Sequence, residues 1–228
     1  MRPTHLKTTL LLLALLALPL ATPITAGEPG PAAASNAQPA ADASPWQTLT
    51  DLRTALMEAG PTRAEFTQTY VPAGFAGGER ERGAMSFDLP ECMRWDYTEP
   101  YAKSFLLCGD RAHYWNGEDR SGRRYDVDRD EEPGLDLLML SVETLRDRYR
   151  AHREAVDDGR VRVTLEPLTD VGSLAVATLT LAESGERLSQ LTYRDREGNL
   201  TRFSLAEPTP LADPEGVFLA PGDVRWQN

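Results

Sequence analysis

Between Gly83 and Asn116 the chain takes apolar and polar residues by turns, and this two-residue period commits it to half-buried β-strands. Met85, Phe87 and Leu89 alternate with Ala84, Ser86 and Asp88, and Met93, Trp95 and Tyr97 alternate with Cys92, Arg94 and Asp96. Glu99-Pro100-Tyr101 and Gly109-Asp110 supply the residues that tight turns need. A hairpin in which Thr98 faces Ala102 pairs residues whose numbers sum to 200. That register sets Cys92 opposite Cys108, with Trp95 against Phe105 and Met93 against Leu107 on one face. Arg94/Leu106 and Asp96/Ser104 share the cysteine face. A two-residue turn at Gly109-Asp110 then brings Tyr114 beside Phe105, because cross-strand neighbours lie about 5 Å apart. One face is therefore large, aromatic and in need of a cover, and the other is mixed.

The cover is legible upstream. Ser44-Pro45-Trp46-Gln47 joins an N-cap serine, a proline at the first helical position and a glutamine placed for a capping box. A helix follows, with Trp46, Leu49, Leu52, Leu56 and Met57 on one side and Gly60-Pro61 as its end. Ala64–Tyr70 reads as a strand and Pro72–Gly78 as a loop. After Asn116, residues 117–121 form a loop and Arg123–Val127 an edge strand. Asp126, Asp128, Asp130 and Glu132 invite a calcium reading, but Glu131 and Leu137 stand where an EF-hand loop needs glycine and glutamate, so a solvated acidic loop is expected. Gly134–Arg148 has helical spacing, as two short helices broken near Ser141. Strands are then expected over Tyr149–Ala155, Arg160–Leu168, Ser173–Ala182, Arg187–Tyr193 and Asn199–Leu205, with a last one at Val217–Leu219. Ten or eleven strands with two helical pieces predict a mainly β fold with α: a strongly curved antiparallel sheet or incomplete barrel whose concave face is closed by helices.

The N-terminus reads as an export signal. Arg2, His5 and Lys7 precede the apolar run Leu10–Leu18, which is too short to span a bilayer, and cleavage is expected near Ala26. Residues 27–43, rich in Ala, Pro and Gly, predict a flexible leader, and residues 44–228 a single domain. Cleavage removes Arg2 and Lys7 and no acid, which moves the net charge from −11 to −13. Such a surface repels nucleic acid, so no nucleic-acid partner is expected. Two cysteines in an exported chain, opposed by the hairpin register, predict a Cys92–Cys108 disulfide.

Catalytic and metal-binding patterns do not occur. Past the signal the histidines are His113 and His152, and there is no G-x-S-x-G, H-E-x-x-H, P-loop or G-x-G-x-x-G. A binding role without cofactor or metal is expected rather than an enzyme.

Read as a series, Phe66-x-Gln68, Gly83-x-Met85-x-Phe87-x-Leu89-Pro90, Met93-Arg94-Trp95-x-Tyr97-x-x-Pro100 and Leu107-Cys108-Gly109-Asp110 before Tyr114-Trp115 resemble the periplasmic outer-membrane lipoprotein carrier family, LolA. Leu165-Glu166-Pro167, Gly198-Asn199-Leu200-Thr201-x-Phe203 and Phe218-x-x-Pro221 extend the likeness over residues 46–222. The resemblance implies an incomplete barrel whose cavity shields lipoprotein acyl chains, with acylated lipoproteins, an inner-membrane lipoprotein-releasing transporter and an outer-membrane acceptor as partners of a periplasmic monomer. By position it implies that Phe87, Met93, Trp95, Tyr97, Phe105, Leu107 and Tyr114 line the cavity and that Trp46, Leu49, Leu52, Leu138 and Met139 form the lid. Many family members latch the lid with an arginine just before the strand-breaking proline, where this chain has Leu89. Two other roles fit the same residues: a periplasmic lipid-binding sensor of the same fold, and an exported protein-binding module with a dry core.

Overall fold

The structure is a computed structural model that describes residues 44–127, 137–170, 172–182 and 185–227. The expected signal and leader, and most of the acidic loop, lie outside the described residues.

Helix α1 (Pro45–Glu58) begins where the sequence places it. Ser44 Oγ accepts from the Gln47 backbone N–H at 3.1 Å. The Gln47 side chain turns forward to Asp51 (2.8 Å), so only half of the capping box forms. Gly60, at φ +66°, takes the left-handed conformation that ends the helix. Leu49 and Leu52 are buried and Trp46 and Leu56 pack beside them, but Met57 in the last turn is 48% exposed and leaves the apolar stripe.

Strands β1 (Thr62–Val71), β2 (Glu79–Asp88), β3 (Cys92–Glu99), β4 (Lys103–Cys108), β5 (Arg111–Asn116) and β6 (Ser121–Asp126) follow. Next come helix α2 (Val142–Arg148) and strands β7 (Tyr149–Ala155), β8 (Val161–Pro167), β9 (Leu174–Leu181), β10 (Leu188–Asp195), β11 (Leu200–Leu205), β12 (Thr209–Pro210) and β13 (Arg225–Gln227). Among the described residues these make one sheet in the order β13-β6-β5-β4-β3-β2-β1-β11-β10-β9-β8-β7, with β12 beside β1. Pairing is antiparallel except between β13 and β6, and the terminal strands β13 and β7 do not pair, so the barrel is incomplete.

The β3–β4 register is the one whose numbers sum to 200: Cys92 faces Cys108, Trp95 faces Phe105, and Phe105 in turn faces Tyr114. Cys92 and Cys108 are disulfide-bonded, with their α-carbons 4.2 Å apart. Alternation then sorts the side chains. Met85, Phe87, Met93 and Leu107 point to the concave side, where Leu49, Leu52, Leu138 and Leu145 join them in the main core. Helix α1 lies over β7 and β8, beside α2.

Three expectations fail. Arg123–Val127 is not an edge, because β13 pairs outside β6 through Arg225–Ser121 and Trp226–Gly122. Val217–Leu219 forms turns rather than a strand, and the last strand comes eight residues later at Arg225. Of the two short helices expected before Tyr149, the described part shows one, α2, capped by Ser141, whereas residues 137–139 form a turn.

The cysteine face is more apolar than its sequence suggests. Leu106, Trp115 and Val224 form a second core there, with Cys108, Phe218, Ala220 and Trp226 packed against it. Arg94 anchors the covering segment: it donates to the Val217 carbonyl (2.6 Å) and to Asp96 Oδ1 (2.8 and 2.9 Å), and its guanidinium lies 5.0 Å from the centre of the Trp115 ring. Gly122 leaves room for Trp226, since a Cβ there would meet the indole at 2.7 Å. The convex face thus has its own cover, separate from the main core on the concave side.

Candidate functional site

On the concave side a cavity of about 130 Å³ lies between β3–β6 and β10–β11. Met85, Met93, Trp95, Tyr97, Phe105, Leu107, Leu191, Tyr193 and Phe203 are among its walls. Five of the seven residues expected in the wall therefore meet at one site. The other two do not. Tyr114 stacks on Phe105 at 4.7 Å from outside the lining, and Phe87 belongs to a second cavity of about 160 Å³ beneath the C-terminal end of α1, where Ala55, Ala59 and Ala64 leave space. Between them stands a packed layer in which Phe66 meets Tyr97 and Phe203 edge-on, at 5.1 and 5.6 Å.

The walls are largely hydrocarbon, with the Tyr125 and Tyr193 side chains and part of His113 also in the lining, and the buried Tyr97 phenol is tied off. Tyr97 donates its hydroxyl proton to Gln68 Oε1 at 2.6 Å, and burial, with the Glu81 carboxylate nearby, pushes its pKa up. Lys103 lies 4.5 Å from the centre of that ring and pairs with Glu81 at 2.6 Å. No cluster of metal-ligating residues occurs among the described residues. What such a surface can do is solvate an apolar ligand.

The lid residues divide. Leu49, Leu52 and Leu138 pack together over Leu165 and Leu179, leaving about 20 Å³ unfilled. Trp46 lies at the margin under the Arg146 guanidinium, 5.6 Å from its ring centre, and Met139 is buried among the core residues without lining a cavity. The strongest tie between α1 and the 137–140 segment is polar. Arg53 Nη1 donates to the carbonyls of Leu138 (2.9 Å) and Leu140 (2.6 Å), and Nη2 to that of Met139 (3.2 Å). Burial lowers the Arg53 pKa, opposed by the carboxylates of Glu143 and Glu91. Arg153 Nε adds a bond from β7 to Thr48 Oγ1 at 3.1 Å.

A family model described as outer membrane lipoprotein carrier protein LolA matches residues 59–216, well over half of the chain. The chain belongs to the LolA family. That family is one of carriers rather than enzymes. An outer-membrane lipoprotein carrier protein of Methylococcus capsulatus is 25% identical over 165 residues, covering 68% of this chain and 74% of the relative. One from Shewanella sediminis is 22% identical, covering 76% and 82%. Among solved structures, an uncharacterized conserved protein from Thermus thermophilus superposes with a TM-score of 0.51 at 8% identity over 79% of this chain and 96% of that one, a likeness of fold.

Leu89 is buried in the core, and the guanidinium that reaches the carbonyls of residues 138–140 comes from α1. The sequence carried a signal for this: Arg53 sits four residues after Leu49 and three before Leu56, on the face where its neighbours are apolar. Leu191, Tyr193 and Phe203 stand outside the expected wall, because β11 reaches the cavity only through its pairing with β1, and β10 only through β11.

Proposed function

We propose that the chain is a periplasmic carrier that shields lipoprotein acyl chains in the concave cavity and passes them between membranes. The observation that carries this reading is a largely hydrocarbon-walled cavity on the concave side of a sheet whose convex face has a separate core of its own. Each buried methylene is worth about 0.8 kcal/mol, so an acyl chain of roughly sixteen carbons resists entering water by on the order of 12 kcal/mol. A carrier must replace most of that without exceeding it. At about 130 Å³ the cavity is smaller than the roughly 300–1,000 Å³ of ligand pockets, so loading must widen it. Trp95, Tyr97, Phe105 and Leu107 then meet the chains, and Leu49, Leu52 and Leu138 close over them. Delivery by an inner-membrane transporter and release to an outer-membrane acceptor complete the cycle.

The test is a handover assay. The mature protein, incubated with a triacylated lipoprotein, should keep it in solution without detergent in a one-to-one complex and release it to vesicles. A lipoprotein that sediments equally with and without the protein contradicts the proposal, and a soluble complex that never releases its cargo supports a sensor instead.

A further inference from the structure

Four of the large apolar side chains that stay exposed gather at one end of the sheet. Tyr70 pairs with Thr201, Thr201 with Tyr193, Tyr193 with Ala177 and Ala177 with Leu165. Just beyond that line these strands run into the β1–β2 loop, which carries Phe75, and the β8–β9 turn, which carries Leu168. The pairing of Arg82 with Glu99 puts the β3–β4 turn, and Tyr101, at the same end. Phe75 is 70% exposed and Tyr101 67%. The loop is built to present its phenylalanine: the Phe75 N–H donates to the Pro72 carbonyl (3.1 Å), and the Ala73 N–H to Asn199 Oδ1 (3.0 Å).

Two of the tips at that end are uncharged, in a chain of which 26% is charged. Pro72–Gly78 and Pro100–Ala102 contain no charged residue. Around these tips Arg82 pairs with Glu99 (3.4 Å), Lys103 with Glu81 (2.6 Å) and Arg196 with Asp170 (2.8 Å), and Glu118, Asp119 and Glu197 stand in the β5–β6 and β10–β11 turns at the same end.

We propose that this rim docks on a lipid bilayer, with Phe75 and Tyr101 entering the boundary between headgroups and acyl chains. Aromatic side chains settle at that boundary, and insertion scales with the apolar area they carry. A stable protein interface needs about 800 Å² of contiguous surface per partner. Separate tips divided by paired charges lack that continuity, whereas a fluid lipid surface closes around each tip and leaves the ion pairs among the headgroups. Neutral tips also spare the contact the repulsion that a net charge of −11 would otherwise bring near lipid phosphates. This docking goes beyond the carrier reading, because it needs no cargo. Its consequence is a barrel brought rim-first to the membrane, with Tyr97 and Tyr193 of the cavity wall leading into the turns of that rim.

Flotation with neutral phosphatidylcholine vesicles at physiological salt tests the proposal, using the mature chain, the double variant Phe75→Ser/Tyr101→Ser, and Leu219→Ser as a control for an equally exposed residue of the convex-face segment. The mature chain and the control should float. Partition of the double variant should fall by about tenfold or more, from the loss of two aromatic contacts. Circular dichroism and fluorescent fatty-acid binding, measured on the same samples, should not differ among the three, which separates this test from any failure of the cavity reading. A mature chain that stays with the soluble fraction, or a double variant that floats as well as it does, overturns the proposal.

Discussion

The Arg53 guanidinium donates to the Leu140 carbonyl at 2.6 Å, and the same side chain holds the carbonyls of Leu138 and Met139, so one residue of α1 secures residues 138–140. Three bonds from one planar donor form and break together, which suits a lid.

Replacing Arg53 by methionine keeps the aliphatic stem and removes the donors. The lid should loosen by about 1–3 kcal/mol, as expected when buried carbonyls lose their partners. Hydrogen exchange should quicken in residues 137–145 and leave β3–β5 unchanged. Arg53→Lys, with a single point donor, should fall between. Unchanged exchange in the lid would remove Arg53 from this role.

Serine at both Cys92 and Cys108 opens a bond between residues 16 apart. The chain-entropy estimate gives about 3 kcal/mol, which lowers Tm by roughly 6–12 °C for a domain of this size. Because Cys108 packs on the convex core, acyl binding should persist. Calorimetry together with ligand titration checks both parts.

His113 lies on the convex face, 5.4 Å from the Trp226 ring, with no hydrogen-bond partner at its buried Nδ1. Burial, reinforced by the positive charges of Arg124 and Arg111, lowers its pKa below the ordinary value of 6.5. The unfolded chain therefore binds this proton more readily, and the stability that neutral His113 contributes is complete above pH 6.5 and lost as the pH falls below it. Urea midpoints of the wild type and of His113→Phe, compared between pH 7.5 and 5.5, should diverge, with the wild type losing more. Parallel curves would contradict the assignment.

Met93 and Trp95 adjoin in β3 and both touch the cavity, yet they should behave differently. Met93 is 2% exposed and part of the packed core, so Met93→Glu should cost at least about 2 kcal/mol and endanger folding. Half-buried Trp95 should tolerate serine with a modest stability loss while acyl affinity drops. Equal affinity in a folded Trp95→Ser protein would place the ligand elsewhere.

The sequence was most legible where side chains obey a local rule. Alternation and one turn set the register that opposes Cys92 to Cys108 and Trp95 to Phe105, and Ser44-Pro45 set the start of α1. It was least legible where distant segments meet. A three-residue parallel pairing such as that of β13 with β6 has no periodic signature, and the convex core depends on Val224 and Trp226 returning from the chain's end. Phe87 shares the alternation of Met85 but lies on the other side of the Phe66 layer, a division that spacing along one strand does not encode.

Whether the concave cavity holds hydrocarbon is read by titrating the mature protein with a fluorescent long-chain fatty acid. Saturable binding at one site is expected at micromolar ligand, weakened in Trp95→Ser and retained when both cysteines are replaced. A folded sample that shows no saturable binding would contradict it.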